Sequence, residues 1–110
     1  MLQLFDLYDK LGLRRSFILC ASLTLRTADD QEALEQRLKE ADTRFMNFSI
    51  LNVDAVDRLC WVNVPKDNRS DLKSTARNFA ACIMSSGKVL SCCVHGPGGI
   101  FVEADEGTFG

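Results

Sequence analysis

The chain has 110 residues, of which 46 % are hydrophobic and 25 % are charged, and its formal net charge at pH 7 is −2. This length suits one domain with one hydrophobic core, and the composition is typical of a globular protein and excludes a wholly disordered chain. The slightly acidic balance argues against nucleic acid as the main partner, because non-specific nucleic-acid binding requires a basic surface.

The cysteines and the longest apolar run indicate the compartment. The five cysteines are Cys20, Cys60, Cys82, Cys92 and Cys93. Their odd number, and the lack of a secretory signal before them, favour reduced thiols over a disulfide framework. The run from Phe17 to Leu25 contains Ser22 and Thr24 and is too short to cross a bilayer. We therefore expect a cytoplasmic protein that does not enter a membrane.

The first elements of the chain are a short helix and a long strand. Leu4, Leu7 and Leu11 recur at helical spacing, which predicts an amphipathic N-terminal helix over residues 1–12. A strand from Ser16 to Arg26 follows, with one apolar and one mixed face, as expected of a central strand with one deeply buried face. The apolar face comprises Phe17, Leu19, Ala21, Leu23 and Leu25, and the mixed face comprises Ile18, Cys20, Ser22 and Thr24.

Two longer helices are predicted from apolar residues that lie four, three and four positions apart. Thr27 is the expected N-cap of the earlier helix. The later helix begins at Ser70 or Asp71, and Gly87 is expected to end it in a left-handed conformation. The apolar stripes are Leu34, Leu38, Ala41 and Phe45 in the earlier helix and Leu72, Ala76, Phe79 and Ile83 in the later one.

Four further strands complete the pattern. Phe48–Val53 and Leu59–Val64 flank a five-residue connection rich in turn formers, which predicts a hairpin. Lys88–His95 and Ile100–Glu103 flank the segment 96–99, whose sequence Gly-Pro-Gly-Gly is typical of a tight turn.

This order of elements predicts an α+β fold of the ferredoxin-like kind, a split β-α-β-β-α-β antiparallel sheet. The N-terminal helix precedes the sheet, and an extra C-terminal hairpin strand follows it. Residues 1–110 then form a single domain, with the sheet and its two helices over 13–103 and a tail over 104–110. In this arrangement both longer helices cover the same face of the sheet.

The other face of the sheet holds the candidate binding residues. Alternation turns Cys60, Val62, Val64, Leu90, Cys92 and Val94 toward the helices. It leaves an apolar patch on the opposite face, where the chain's only tryptophan lies, and such patches usually mark contact sites. The predicted binding residues are Ile18, Cys20, Leu59, Trp61, Cys93 and His95.

Three arrangements would cover this patch. The N-terminal helix would bury its own leucines by folding back onto it. A second copy of the chain or another protein would cover it equally well, and the helix would then be free to cross a dimer. A small molecule would instead occupy a pocket lined by Trp61, Cys93 and His95.

Cys93 and His95 invite comparison with a catalytic pair, since residues two apart on a strand point the same way. Nucleophilic catalysis by cysteine needs a base and a third group that orients the base. No Asp, Asn or Glu lies next to this pair in the sequence to orient the histidine. Cysteine in an apolar strand is often a small core residue, which favours a core or interface role here. Cys20, Cys93 and His95 form only a loose set of three ligands, so neither a metal nor a cofactor is expected.

Charged residues form two further groups. Arg58, Lys66, Arg69, Lys73 and Arg77 are the basic group. All of them except Arg58 are expected along one side of the later helix and its entry. They suit a solvated helix face, or else an anion or RNA contact, although no RNA-binding motif is present. Glu103, Asp105 and Glu106 join the acidic residues of the earlier helix in the acidic group. Such residues serve solubility or receive an electropositive partner, as in inhibitors of nucleic-acid-binding proteins.

The sequence therefore predicts a non-catalytic protein–protein interaction or regulatory module. It would act through the sheet face around Trp61 or as a homodimer. The alternative is a small enzyme or ligand-binding domain that uses Cys93 and His95, and a weaker alternative is nucleic-acid binding through the later helix.

Overall fold

The computed structural model of the protein describes Lys10 and residues 18–41, 48–63, 71–96 and 99–108. The strands and helices are β1 (Ile18–Leu25), α1 (Gln31–Ala41), β2 (Phe48–Asn52), β3 (Asp57–Asn63), α2 (Leu72–Met84), β4 (Val89–Gly96) and β5 (Gly99–Asp105). A 3₁₀ turn, Ala28–Asp30, leads into α1. The N-terminal helix predicted at 1–12 lies outside the described residues except for Lys10, which is helical.

The five strands form a sheet in the order β2-β3-β1-β4-β5, and every neighbouring pair is antiparallel. The predicted α+β fold, with an antiparallel sheet and two helices, is confirmed. The complete order is not the four-stranded ferredoxin-like order, because β5 extends the sheet beyond β4. The ferredoxin-like split topology therefore stays a prediction.

The hydrophobic core lies between one face of the sheet, termed the helix face, and the two helices. The central strand β1 contributes Leu19, Ala21, Leu23 and Leu25, all buried, as alternation predicts. The helices contribute Leu34, Leu38, Ala76, Phe79 and Ile83, which belong to the same buried cluster. Fully burying a leucine or phenylalanine contributes roughly 1.5–3 kcal/mol, so this cluster is the main source of stability. The opposite side of the sheet is termed the second face.

The helix ends follow the sequence signals. The Thr27 backbone N–H donates a hydrogen bond to the Asp30 carboxylate at 3.1 Å, which stabilises the 3₁₀ turn before α1. Asp71 precedes the first residue of α2. Gly87 follows α2 with a φ of 74°, the left-handed conformation that the sequence predicts there. None of the described helices is both long and apolar enough to cross a membrane.

The predicted alternation fails at the start of β4. Leu25 pairs with Val89 but Thr24 pairs with Ser91, so Leu90 is the extra residue of a β-bulge. As a result Val89 is buried in the helix-face core, whereas Leu90, which the sequence placed there, is only partly buried. Beyond the bulge the register resumes, and the predicted core residues Cys92 and Val94 are buried.

A second irregularity lies in the β4–β5 hairpin. Pairing shifts between Val94 and His95, which leaves Phe101 as the extra residue on β5. Phe101 packs against the helix-face core. Gly96 is required beneath it, because a Cβ atom at Gly96 would lie 2.5 Å from Cε2 of the Phe101 ring.

Strand β5 runs beyond the end that the sequence predicted for it. It continues past Glu103 to Asp105, and Ala104 is only 7 % exposed. Ala104 therefore belongs to the core, whereas the sequence placed it in the tail.

Arg58 is a buried charge that joins the β2–β3 turn to the start of α1. It belongs to the basic group of the sequence and is only 2 % exposed. Its Nε donates to Oε1 of Gln31 at 2.7 Å, and its Nη2 donates to the Ala28 carbonyl at 3.2 Å. Its Nη1 donates to the carbonyls of Asp54 and Asp57 at 3.0 and 3.1 Å. The planar fork of arginine suits this set of acceptors.

Replacing Arg58 with methionine should lower the free energy of unfolding by about 2–4 kcal/mol, because buried oxygen atoms lose a charged donor. Urea unfolding followed by Trp61 fluorescence measures this change. Arg77→Met, on the exposed side of α2, is the matched control and should shift stability by less than about 0.5 kcal/mol. Equal small effects for both variants would show that the Arg58 contacts do not support the fold.

Replacing Gly96 with alanine should lower the free energy of unfolding by about 1–3 kcal/mol, because the new methyl group collides with the Phe101 ring. A double-mutant cycle with Phe101→Ala tests the contact. The double variant should lose less free energy of unfolding than the sum of the two single losses, by more than about 0.5 kcal/mol. Strictly additive losses would contradict the proposed collision.

Candidate functional site

The second face is organised as rows of residues that cross the strands. The Trp61 row consists of Ser49, Trp61, Cys20, His95 and Ile100. The Leu59 row consists of Leu51, Leu59, Ser22, Cys93 and Glu103. The Asp57 row consists of Asp57, Thr24, Ser91 and Asp105.

These rows bring most of the predicted binding residues together. Cys20, Trp61 and His95 are neighbours in the Trp61 row, and Leu59 and Cys93 lie in the adjacent Leu59 row. Ile18 pairs with Asn63 at the end of β1, and its side chain lies outside the described part of the chain. The neighbourhood expected from alternation is thus present in the sheet.

Burial divides the predicted residues into two groups. Cys20 and Leu59 are each only 1 % exposed, and Leu51, Val53 and Trp61 pack against them. Cys20 and Leu59 therefore form the floor of a second-face cluster and offer almost no surface of their own. Trp61, Cys93 and His95 are half-buried and keep accessible surface.

Ile100 adds a residue that the sequence did not single out. It is 52 % exposed, the large hydrophobic side chain with the most accessible surface in the described residues. Ile100 pairs with His95 and so extends the Trp61 row to the edge strand β5. Its position depends on the bulge at Phe101, which is why alternation alone did not reveal it.

Burial shifts the pKa values of Cys93 and His95 in directions that favour their neutral forms. Burial raises the pKa of the Cys93 thiol, and the nearby Glu103 carboxylate raises it further. Burial lowers the pKa of His95, with Glu103 acting in the opposite direction. A neutral thiol beside a neutral imidazole does not supply the thiolate that attacks a substrate.

Other thiols are also held neutral. Burial raises the pKa of Cys20 and of Cys92 to about 12, with a smaller contribution from Cys93 in each case. Burial likewise raises the pKa of Cys60. Within the described ranges, no group of three or more His, Cys, Asp or Glu side chains is arranged to hold a metal ion, and this includes Cys20, Cys93 and His95.

An acidic groove of about 360 Å³ lies on the second face beside the cluster. The acidic residues Asp57, Glu103 and Asp105 line it, together with the hydroxyl-bearing residues Ser22, Thr24, Ser91 and Thr108. Among the lining residues that the structure describes, none is Lys, Arg or His.

Threonine hydroxyl groups orient two of the groove carboxylates. Thr24 Oγ1 donates to Oδ1 of Asp57 at 3.0 Å, and Thr108 Oγ1 donates to Oδ1 of Asp105 at 2.7 Å. The sequence did not single out these pairs. Alternation along β3 predicts that Asp57 lies on the same face as Leu59. The place of Asp105 on this face follows only from the pairing of β4 with β5.

The basic group does not form one surface in the structure. Arg58 is buried on the helix-face side, while Lys73 and Arg77 are exposed on α2. Lys66 and Arg69 lie outside the described residues. Arg58 therefore does not form a basic surface together with Lys73 and Arg77.

Comparison with known proteins adds no functional information. No protein-family model matches the chain, and no significant match was found among curated proteins or solved structures. The function must therefore be inferred from the second face itself.

Cys93 should react slowly with iodoacetamide at neutral pH, and its rate should still rise above pH 9.0, the ordinary thiol pKa, because the folded pKa is higher. Tandem mass spectrometry of tryptic peptides measures the labelling, and fragment ions distinguish Cys93 from Cys92, which lies in the same peptide. Glu103→Gln should move the Cys93 profile to lower pH, whereas Glu32→Gln, on the exposed side of α1, should leave it unchanged. Rapid, selective labelling of Cys93 at neutral pH would show that its thiol pKa is not raised.

Proposed function

We propose that the chain is a non-catalytic protein–protein interaction or regulatory module that binds another protein, or a second copy of itself, through the second face. The observation that carries this proposal is the Trp61 row. It runs from the half-buried Trp61 through His95 to the exposed Ile100, on the face opposite both described helices.

The second-face cluster supports the proposal energetically. Cys20 and Leu59 fix Trp61 from below, because all three belong to one packed cluster. Ordering a side chain at an interface costs about 0.5–1.5 kcal/mol, and a residue already held in place avoids much of this cost. Tryptophan is also enriched among the residues that contribute most to binding energy.

The arrangement of β1–β4 supports a ferredoxin-like split β-α-β scaffold as part of the same proposal. Strand β1 lies between β3 and β4, and β2 lies outside β3, all antiparallel. Both helices pack on the helix face, and β5 is then an addition at the edge. In a scaffold of this kind the two helices leave the second face uncovered, so a partner can contact it.

The electrostatics of Cys93 count against the enzyme alternative. A catalytic cysteine needs a depressed pKa, whereas burial and Glu103 raise the pKa of this thiol. The same half-buried thiol is compatible with a contact surface, where it behaves as a small hydrophobic residue.

Replacing Ile100 with glutamate should weaken association through the second face at least about tenfold, because a charge would be placed in an apolar contact. Sedimentation velocity over the micromolar range measures self-association. Pull-down from the native host lysate, compared between wild type and variant by mass spectrometry, identifies other partners. Asn78→Glu adds the same charge on the exposed side of α2 and should change neither result.

Fluorescence of Trp61, the only tryptophan in the chain, provides an independent measurement of association. Its emission should shift to shorter wavelength on association, because a partner removes water from the indole. A monomer with no partner whose capture depends on Ile100 would contradict the proposed function.

A further inference from the structure

We propose that the acidic groove binds an extended basic segment of a partner protein, one that carries two Lys or Arg side chains about four residues apart. This inference rests on the proposed function and specifies the chemistry of the partner. It identifies a region of the second face that is separate from the Trp61 row.

The spacing follows from the direction of the groove across the strands. Asp57 lies on β3, whereas Glu103 and Asp105 lie on β5, with β1 and β4 between them. Neighbouring strands are about 4.8 Å apart, so the backbones of β3 and β5, which carry the acidic residues, are separated by roughly 14 Å. An extended segment rises about 3.3 Å per residue, so same-side residues four apart are separated by about 13 Å.

Charge complementarity selects a basic occupant. The described lining has an acidic residue on β3, two acidic residues on β5 and no cationic side chain. Thr24 and Thr108 hold Asp57 and Asp105 in fixed orientations, and an ionised carboxylate can accept several donors at once. Each end of the groove is therefore prepared to receive an ammonium or guanidinium group.

The middle of the groove suits the segment between the two cations. Ser22, Thr24 and Ser91 lie there. The hydroxyl groups of Ser22 and Thr24 already donate to the Cys93 carbonyl and to Asp57, so they can accept from a peptide backbone N–H, whereas Ser91 can also donate. Val53 belongs both to the groove lining and to the second-face cluster. The groove is thus continuous with the apolar surface, which places a basic segment next to apolar contacts.

Other occupants fit less well. A second copy that docked symmetrically by this groove would bring like carboxylates together, which is destabilising. Nucleic acid would meet the same repulsion from the groove carboxylates. A metal ion lacks a suitable ligand set in the part of the chain that the structure describes.

The probe is a fluorescein-labelled peptide of alternating valine and threonine, with two threonines about four positions apart replaced by lysine. Fluorescence anisotropy should show binding that weakens as salt is added. Asp57→Asn, Glu103→Gln and Asp105→Asn should each weaken binding roughly two- to fivefold. Glu32→Gln removes the same charge from the exposed side of α1 and should leave binding unchanged. Circular dichroism checks that every variant is folded.

Three results would overturn the proposal. The first is equal binding of a peptide whose lysines are two positions apart, or of spermidine, which has no peptide backbone. The second is no binding by the folded wild type. The third is self-association that the groove variants abolish, which would assign the groove to a second copy.

The Ile100→Glu variant separates this inference from the proposed function. If partner capture depends on Ile100 but peptide binding is absent, only the groove proposal fails. If the spaced peptide binds and no partner capture depends on Ile100, the groove proposal stands and the role of the Trp61 row fails.

Discussion

The structure depends on the register of β1, the strand that is hydrogen-bonded to β3 on one edge and to β4 on the other. Its alternate residues face the helices, with Leu19 and Ala21 fully buried. The residues between them, including Cys20 and Ser22, define the rows of the second face. A slip of one residue would exchange the two sets, placing polar groups in the core and leucines outside. The core and the candidate site are therefore fixed by one register.

Arg58 connects this register to the acidic groove. It pairs with Leu23 across the β1–β3 ladder and binds carbonyl groups of the 3₁₀ turn and of the β2–β3 turn. Because it fixes the turn that contains Asp54 and Asp57, it also fixes where Asp57 enters the groove. Asp54 accepts hydrogen bonds from the Val56 and Asp57 backbone N–H groups, which lower its pKa and tighten the same turn. A contact on the helix-face side thus positions a carboxylate on the second face.

Local periodicity predicted the helices and most of the core, because residues such as Leu38 and Phe79 are placed by the repeat of their own helix. It did not predict Val89 in place of Leu90, since a bulge is set by the partner strand and not by the segment itself. The exposure of Ile100 and the position of Glu103 depend on the hairpin register in the same way. The burial of Arg58 could not be predicted from its charge, because its acceptors come from two separate segments, residues 28–31 and 54–57. Positions that depend on alternation within one strand could therefore be predicted from the sequence, whereas positions that depend on the partner strand could not.

Glu103 bears on both the catalytic and the binding interpretation of the second face. Burial raises the pKa of the Cys93 thiol, and the Glu103 carboxylate, opposite Cys93 across the β4–β5 ladder, raises it further and so disfavours the nucleophilic form. In the acidic groove the same negative charge favours a cation, with Asp105 on the same strand adding to it. A cysteine nucleophile would need a positive field at this position, whereas a surface that receives lysine or arginine needs a negative one. The negative charge on this face therefore disfavours the thiolate form of Cys93 and is the charge that the proposed basic segment requires.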